Sequence, residues 1–284
     1  MVRLAQVSDF LQELAPLDLA QSWDSNGLIC GDPDEEVKRI LLAVDPVQVV
    51  VDEAIEKGAQ LVITHHPLFL RGTNTVAASN FKGRVVHRLI RAGVGLYNCH
   101  TNLDAAASGV AQALSDVVGL VDTRPLEADG ARPELGIGRV GRLEQPMSLQ
   151  DFAYKVAAAL PDSAPGLLVG GDLQAQVVKV AVSGGAGDSL LQAAREAGVD
   201  VFLTADLRHH PASEHLEAGK PYLLNATHWA SEWVGLVPLA QALKQWSSQN
   251  GHDLQVEVSQ LVTDPWNARI STKFPPRINL RNKQ

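Results

Sequence analysis

His65 and His66 stand side by side at the end of the apolar run Leu61-Val62-Ile63-Thr64 and are followed by Pro67, so two imidazoles emerge where a buried strand stops. Neighbouring residues on an extended backbone point to opposite sides, which suits the pair to giving one nitrogen to each of two ions rather than gripping one. Two further segments carry matching chemistry. His100-Thr101-Asn102-Leu103-Asp104 follows Val94-Gly95-Leu96-Tyr97, and His228-Trp229-Ala230-Ser231-Glu232 follows Tyr222-Leu223-Leu224. Residues four apart on a helix share one face, so each H-x-x-x-D/E spacing aims an imidazole and a carboxylate at one point. A lone buried histidine is more often a satisfied core residue than a ligand, but clusters repeated just beyond strands point to a dinuclear metal site. Histidine and carboxylate donors without cysteine fit zinc, manganese, iron or cobalt, whereas an all-oxygen set would indicate magnesium or calcium.

The elements that position these residues read as α/β. Strand and helix signals alternate in the first half: Ile40 to Val44, Val47 to Lys57 closed by Gly58, Leu61 to Thr64, Phe81 to Ala92 closed by Gly93, and Val94 to Cys99. Such alternation predicts β-α-β units in a mainly parallel sheet flanked by helices, with ligands gathered beyond the carboxyl ends of the strands. Asp45, His65 and His100 fall at such ends. The second half repeats the scheme with strands at Val178 to Val182, Val199 to Thr204 and Tyr222 to Leu224, and helices at Ser189 to Ala197 and Ala212 to Ala218. Glu56-Lys57-Gly58-Ala59-Gln60-Leu61-Val62-Ile63-Thr64 echoes Arg195-Glu196-Ala197-Gly198-Val199-Asp200-Val201-Phe202-Leu203-Thr204, which predicts two similar lobes. The expected division is a first lobe over residues 1–125, a connecting segment over 126–176, a second lobe over 177–270 and a flexible tail over 271–284.

Within the connection, Gly136-Ile137-Gly138-Arg139-Val140-Gly141-Arg142 has phosphate-loop glycines but opens no helix, so a turn or bulged strand is expected. Ser148-Leu149-Gln150-Asp151 has the form of a capped helix start, with the helix running to Leu160.

The 284 residues, 45% hydrophobic and 20% charged, are enough for two cores and ordinary in usage. A net charge of -8 argues against a nucleic-acid-binding surface. Cys30 and Cys99 are too few for a disulfide framework, and Cys99 is expected to be a small buried residue. The N-terminus leads straight into an amphipathic pattern without a signal h-region, and no apolar stretch approaches membrane-spanning length, so a reducing cytoplasm is the expected location and no membrane partner is expected.

Taken in order, Ile63-Thr64-His65-His66-Pro67-Leu68, His100-Thr101-Asn102-Leu103-Asp104, Ser183-Gly184-Gly185-Ala186-Gly187 and His228-x-x-x-Glu232, with Trp23-Asp24-Ser25-Asn26-Gly27-Leu28 near the start, resemble the GTP cyclohydrolase I type 2 family, also called Nif-three-like, of dinuclear metal proteins. The resemblance extends to Trp266. It implies that His65, His66, Asp104, His228 and Glu232 hold two divalent cations per chain, with Glu232 able to bridge them and His100 an additional ligand or its partner. It also implies two lobes facing one cleft, a ring-shaped homohexamer and a nucleotide-like substrate. Ser25 stands where the family often has a second asparagine, and Asn225 and Thr227 stand where it often has Asp and Gly. These departures bear on substrate choice more than on metal binding. The chain is too short for the domain that some relatives carry between the lobes.

Several candidates have two readings. His209 and His210 occupy roughly the place of His65 and His66 in the second lobe, so His210 is a candidate proton shuttle, as is His100; the pair could equally cap a surface helix. Ser183 to Gly187 could hold an anion on backbone amides or form a tight strand-to-helix turn. Trp229 and Trp233 are expected to pack beneath the site, and His87, His215 and His252 to face solvent. Two metals can activate water and polarise an electrophile together, so a metal-dependent hydrolase is the leading reading, and a non-catalytic metal-binding scaffold is the alternative.

Overall fold

A computed structural model of the chain describes residues 2–271. These divide into two compact units, 2–110 with 235–263 and 111–234 with 264–271. In chain order the first elements are β1 (Val2–Arg3), α1 (Leu4–Leu14), β2 (Gly27–Cys30), β3 (Glu36–Val37), β4 (Arg39–Ala43), α2 (Gln48–Glu56), β5 (Leu61–Thr64), α3 (Phe81–Arg91), β6 (Gly95–Asn98) and α4 (Thr101–Ala105). Then come α5 (Val110–Val117), β7 (Leu120–Ala128), β8 (Gly136–Ser148), α6 (Leu149–Ala159), β9 (Leu168–Gly170), β10 (Gln176–Ala186), α7 (Leu191–Glu196), β11 (Val201–Ala205), α8 (His209–Glu217) and β12 (Tyr222–Ala226). The long α9 (His228–Gln249) and β13 (Gln255–Val258) follow.

The first unit is built on a five-stranded sheet in the order β13-β4-β5-β6-β2, parallel throughout except for β2. Leu41, Val62 and Leu96 on alternate positions pack with Val50 and Val51 of α2 and Val85 and Leu89 of α3. The intervening Ile40, Leu42, Leu61 and Ile63 are buried as well, which is why these strands read as continuous apolar runs.

The second unit has a six-stranded sheet, β7-β8-β10-β11-β12-β9, and it is mixed. Only β10, β11 and β12 run parallel; β7, β8 and β9 pair antiparallel, a departure from the mainly parallel expectation. Val180, Val182, Val201 and Leu203 face Phe152 and Val156 of α6, while the alternate Ala181 and Phe202 face Leu191 and Ala194 of α7.

The expected connection over 126–176 is therefore corrected: it supplies β8, α6 and β9 to the second sheet, and residues 111–125 belong to that unit as well. Its glycines and prolines mark irregular strands rather than a linker. β7 pairs β8 with a register shift between Val121 and Arg124, and Gly138 takes a positive φ of 64° inside β8. The Arg139 guanidinium, almost fully buried, donates to the carbonyls of Gly136 at 2.8 Å and Gly138 at 2.9 Å, so this segment is stitched by its own arginine and is a bulged strand. Ser148 caps α6 as read, its Oγ accepting from the Asp151 amide at 3.1 Å. The stretch 235–263 returns to the first unit, where β13 pairs β4 in parallel. Of the expected tail, residues 272–284 lie outside the described residues.

The echo between lobes is visible in backbone detail. α2 ends at Gly58 (φ 65°) and α7 at Gly198 (φ 63°), each the left-handed residue that closes a helix before a short step into a strand. Gln60 Oε1 accepts from the amides of Lys38 and Arg39, and Asp200 Oδ2 accepts from those of Val178 and Lys179. Among the described residues no helix is long and apolar enough to cross a membrane.

His87 is exposed as expected, but His215 and His252 are not the solvent-facing residues the pattern implied. His252 is half-buried beside the Trp246 ring, and His215 is buried with its Nε2 3.0 Å from the Pro221 carbonyl, a contact between neighbouring segments that helical periodicity cannot reveal. Burial lowers the His215 pKa below its ordinary value, opposed by the Pro221 carbonyl and aided by Arg195. The native state thus binds this proton less readily than the unfolded chain, so the stability it confers is complete above the unfolded pKa of about 6.5 and falls as pH drops through it. Denaturant titrations across that range should give His215→Phe a flatter pH profile than the parent. At neutral pH the variant should lose about 1–3 kcal/mol for the unpaired Pro221 carbonyl. Identical pH profiles would remove His215 as the cause.

Candidate metal centre

In the first unit, β5 ends at Thr64 and the chain bends rather than continuing extended. The amides of His65 and His66 donate to the carbonyls of Ala43 and Val44, and Thr64 Oγ1 donates to the His66 carbonyl at 2.8 Å. This bend corrects the expectation that the two rings diverge: their centroids lie 5.2 Å apart. His100, two residues beyond β6, joins them with ring centroids 5.1 Å from His65 and 5.6 Å from His66. One nitrogen from each of the three lies within 4.8 Å of the others, a set able to hold a metal ion. Asp104 Oδ1 stands 3.7 Å from His65 Nε2. The H-x-x-x-D segment is arranged differently from the sequence reading, because His100 caps α4 with a non-helical backbone and Asp104 approaches His65 from inside that short helix.

In the second unit, His228 opens α9 and Glu232 follows one turn later, with His228 Nε2 3.0 Å from Glu232 Oε1, as the spacing predicts. Trp229 is buried and Trp233 half-buried, with their ring centroids 6.3 Å apart.

Every one of these imidazoles has its Nδ1 tied down. His66 Nδ1 lies 2.7 Å from Asp45 Oδ1, His100 Nδ1 2.8 Å from Asp24 Oδ1 and His228 Nδ1 2.7 Å from Asp206 Oδ2. His65 Nδ1 lies 3.0 Å from the Cys99 carbonyl. Carboxylates and carbonyls only accept, so each histidine donates from Nδ1, which leaves Nε2 of His66 and His100 as the lone-pair side a metal ligand requires, while Nε2 of His228 faces Glu232. Asp24 and Asp206, which orient two of these rings, are residues that sequence reasoning did not single out as candidates for the site.

Asp24 is the most heavily used of the carboxylates. Its side chain is fully buried and accepts from the Ser25 amide, Asn26 Nδ2, His100 Nδ1, and the amide and hydroxyl of Thr101. Burial pushes its pKa up, but the hydrogen bonds from His100, Thr101 and Asn26 outweigh it and hold the carboxyl well below the usual range. Cys99 is buried as expected, and burial pushes its thiol up to about 12, which rules it out as a nucleophile at neutral pH.

The Ser183-Gly184-Gly185-Ala186-Gly187 segment has a third role that neither sequence reading included. A Cβ on Gly185 would fall 2.3 Å from Glu232 Oε1 and 3.1 Å from His228 Nε2, and its φ is +64°. The glycine therefore makes the room into which the His228 and Glu232 side chains reach. Its amide donates to Ser231 Oγ at 2.9 Å and its carbonyl accepts from Thr204 Oγ1 at 3.0 Å, so the cradle is fixed from both sides. His209 and His210 are exposed at the first turn of α8, in ring contact with each other, and stand outside these sets.

The model of the family described as Duf34/NIF3 (NGG1p interacting factor 3) matches residues 2–265. A Streptomyces coelicolor protein named GTP cyclohydrolase 1 type 2 homolog is 51% identical over 274 residues, covering 96% of this chain and 96% of that one. A Clostridium perfringens protein of the same name is 30% identical, with 93% of this chain and 99% of that one covered. A crystal structure of a Staphylococcus aureus protein superposes with a TM-score of 0.87 at 28% identity, covering 94% of this chain and 99% of that one.

The geometry predicts graded effects of removing what orients the ligands. Asp45→Asn should weaken divalent-metal affinity about 10- to 100-fold while leaving the fold intact. Gly185→Ala should do more, because a left-handed backbone and a side-chain collision coincide, and should destabilise the second unit by about 1–3 kcal/mol. Calorimetric metal titration and thermal unfolding of both variants test this; parent-like values for both would mean that neither residue shapes the site.

Proposed function

The chain belongs to the Duf34/NIF3 family, and on that premise we propose that it binds two divalent cations and acts as a metal-dependent hydrolase. The single observation that supports this most is the uniform placement of an acceptor on every Nδ1, which prepares four histidines as Nε2 donors beside Asp104 and Glu232. His65, His66 and Asp104 of the first unit and His228 and Glu232 of the second would hold the cations, with His100 as a further ligand. That donor set of imidazoles and carboxylates suits zinc, manganese, iron or cobalt.

When bound, such cations lower the pKa of water and polarise an electrophile, which is the requirement for hydrolysing a phosphate ester, an amide or a purine ring. The residues of the chain supply the rest. Asp45, Asp24 and Asp206 hold the proton of their histidine on Nδ1 and fix the ring planes. Glu232 carries negative charge where positive charge would gather. The name carried by the relatives, GTP cyclohydrolase 1 type 2 homolog, directs the search for substrate to purine nucleotides. A ring-shaped homohexamer in a reducing cytoplasm completes the proposal, and the two free thiols fit that compartment.

Elemental analysis after reconstitution should return two ions per chain, and light scattering should return an assembly rather than a monomer. Glu232→Gln should lose at least one ion and all turnover of nucleotides and generic phosphoesters, while Glu217→Gln, on the exposed side of α8, should match the parent. One ion or none in the parent would overturn the dinuclear reading. Full metal content with no turnover of any substrate would favour a metal-binding scaffold instead.

A further inference from the structure

Trp23 is 58% exposed, yet the backbone on either side of it is held by hydrogen bonds. The amide of Asp24 next to it donates to the Gln21 carbonyl at 2.9 Å, the amide of Gln21 donates to Thr101 Oγ1 at 2.9 Å, and Asp24 itself is the buried anchor of His100. The indole meets His100 edge to face, ring centroids 6.0 Å apart and planes at 74°. His100 in turn touches the rings of both His65 and His66. A large apolar ring thus stands in water at the border of the candidate ligands, on a loop tied by the same carboxylate that orients one of them and with its edge against that ligand. Keeping so much indole exposed forgoes hydrophobic stabilisation that a withdrawn side chain would gain, and an aromatic held this way offers its surface to a partner.

We propose that Trp23 is a substrate platform: a planar aromatic or heteroaromatic ring lies against the indole while the anionic, hydrolysable group attached to it reaches the His65, His66 and His100 cluster. This rests on the metal-dependent reading above and adds the substrate class to it. Phosphate esters of planar alcohols or nucleotides meet the description, and aliphatic phosphates do not. The sequence places the indole directly before Asp24, so one short loop sets both the ligand tautomer and the ring-binding surface.

Titration calorimetry of manganese-loaded protein with phenylphosphonate and methylphosphonate tests the platform, since the two probes share a head group and differ in the ring. The parent should bind phenylphosphonate about 5- to 100-fold more tightly, the range one stacked ring contributes. Trp23→Ala should abolish that preference with methylphosphonate affinity and metal content unchanged, and Trp23→Phe should restore most of it. A parent without preference, or a Trp23→Ala protein that keeps it, would overturn the platform. So would loss of assembly in Trp23→Ala by light scattering, because the ring would then serve contacts between copies. If two ions are retained and neither probe binds, the platform falls while the metal reading stands. If no metal is retained, both fall.

Discussion

The location of one proton on each histidine governs the candidate centre. An imidazole facing an ionised carboxylate must donate to it, and the opposite nitrogen then presents its lone pair in a direction set by the hydrogen bond. His66 and His100 obey this through Asp45 and Asp24, and His65 through the Cys99 carbonyl, while His228 is held between Asp206 on Nδ1 and Glu232 on Nε2. The bonds are unequal. Asp24 is fully buried, whereas the Asp206 side chain is 56% exposed, so solvent screens the His228 pair far more than the His100 pair. Burying Asp24 is costly on its own and is offset because five donors converge on its two oxygens. The loop from Gln21 to Asn26 is tied to that carboxylate, and His100 with it.

Much of this was legible in the sequence because strands buried on both faces announce themselves. The apolar run Leu61 to Thr64 coincides with β5 at both ends, and the histidines after it follow from where that run stops. The spacing of His228 and Glu232 survived because α9 is regular there. What escaped were contacts that periodicity does not encode. Asp24 meets His100 across 76 positions of chain, and nothing in Trp-Asp-Ser-Asn singles out which distant ring it serves. The connection was misread for a related reason. Antiparallel strands with bulges carry the same glycines and prolines as loops, and only the pairing of β8 with β7 and β10 distinguishes them.

Glycine in Ser183 to Gly187 had two familiar explanations, a turn or an anion nest, and the structure supplies a different one. The space a side chain would take at Gly185 is occupied by Glu232 and His228. A residue can thus be needed at a site for the atoms it lacks. Sequence reasoning finds such a residue only when the neighbour in space is already known.

The two units carry matching strand and helix segments, and each holds its own set of candidate ligands. Leu42 pairs with Ile63 in the first sheet and Val182 with Leu203 in the second, so these strand pairs can be aligned position for position. Three residues beyond Ile63 and Leu203, His66 of the first unit corresponds to Asp206 of the second, whereas β10 shifts register between Val182 and Ala186 and Gly185 lies inside that irregularity. Asp206, not His210, therefore holds the place of His66, which corrects the equivalence drawn from the adjacent histidines of α8. The third strands correspond too: Thr64 pairs with Asn98 and Thr204 with Asn225, and each asparagine is followed within three residues by a histidine that has a carboxylate four positions on. In the first unit the orienting carboxylate Asp45 follows β4 and supports a histidine after β5. In the second the orienting carboxylate is Asp206 after β11, and it supports a histidine after β12. Gly185, at the irregular end of β10, leaves the room into which Glu232 reaches. A carboxylate at 185 would collide with the very side chain that brings negative charge to the second unit's ligand pair, so orienting His228 from the end of β11 and keeping β10 bare at 185 serve one structural requirement rather than two.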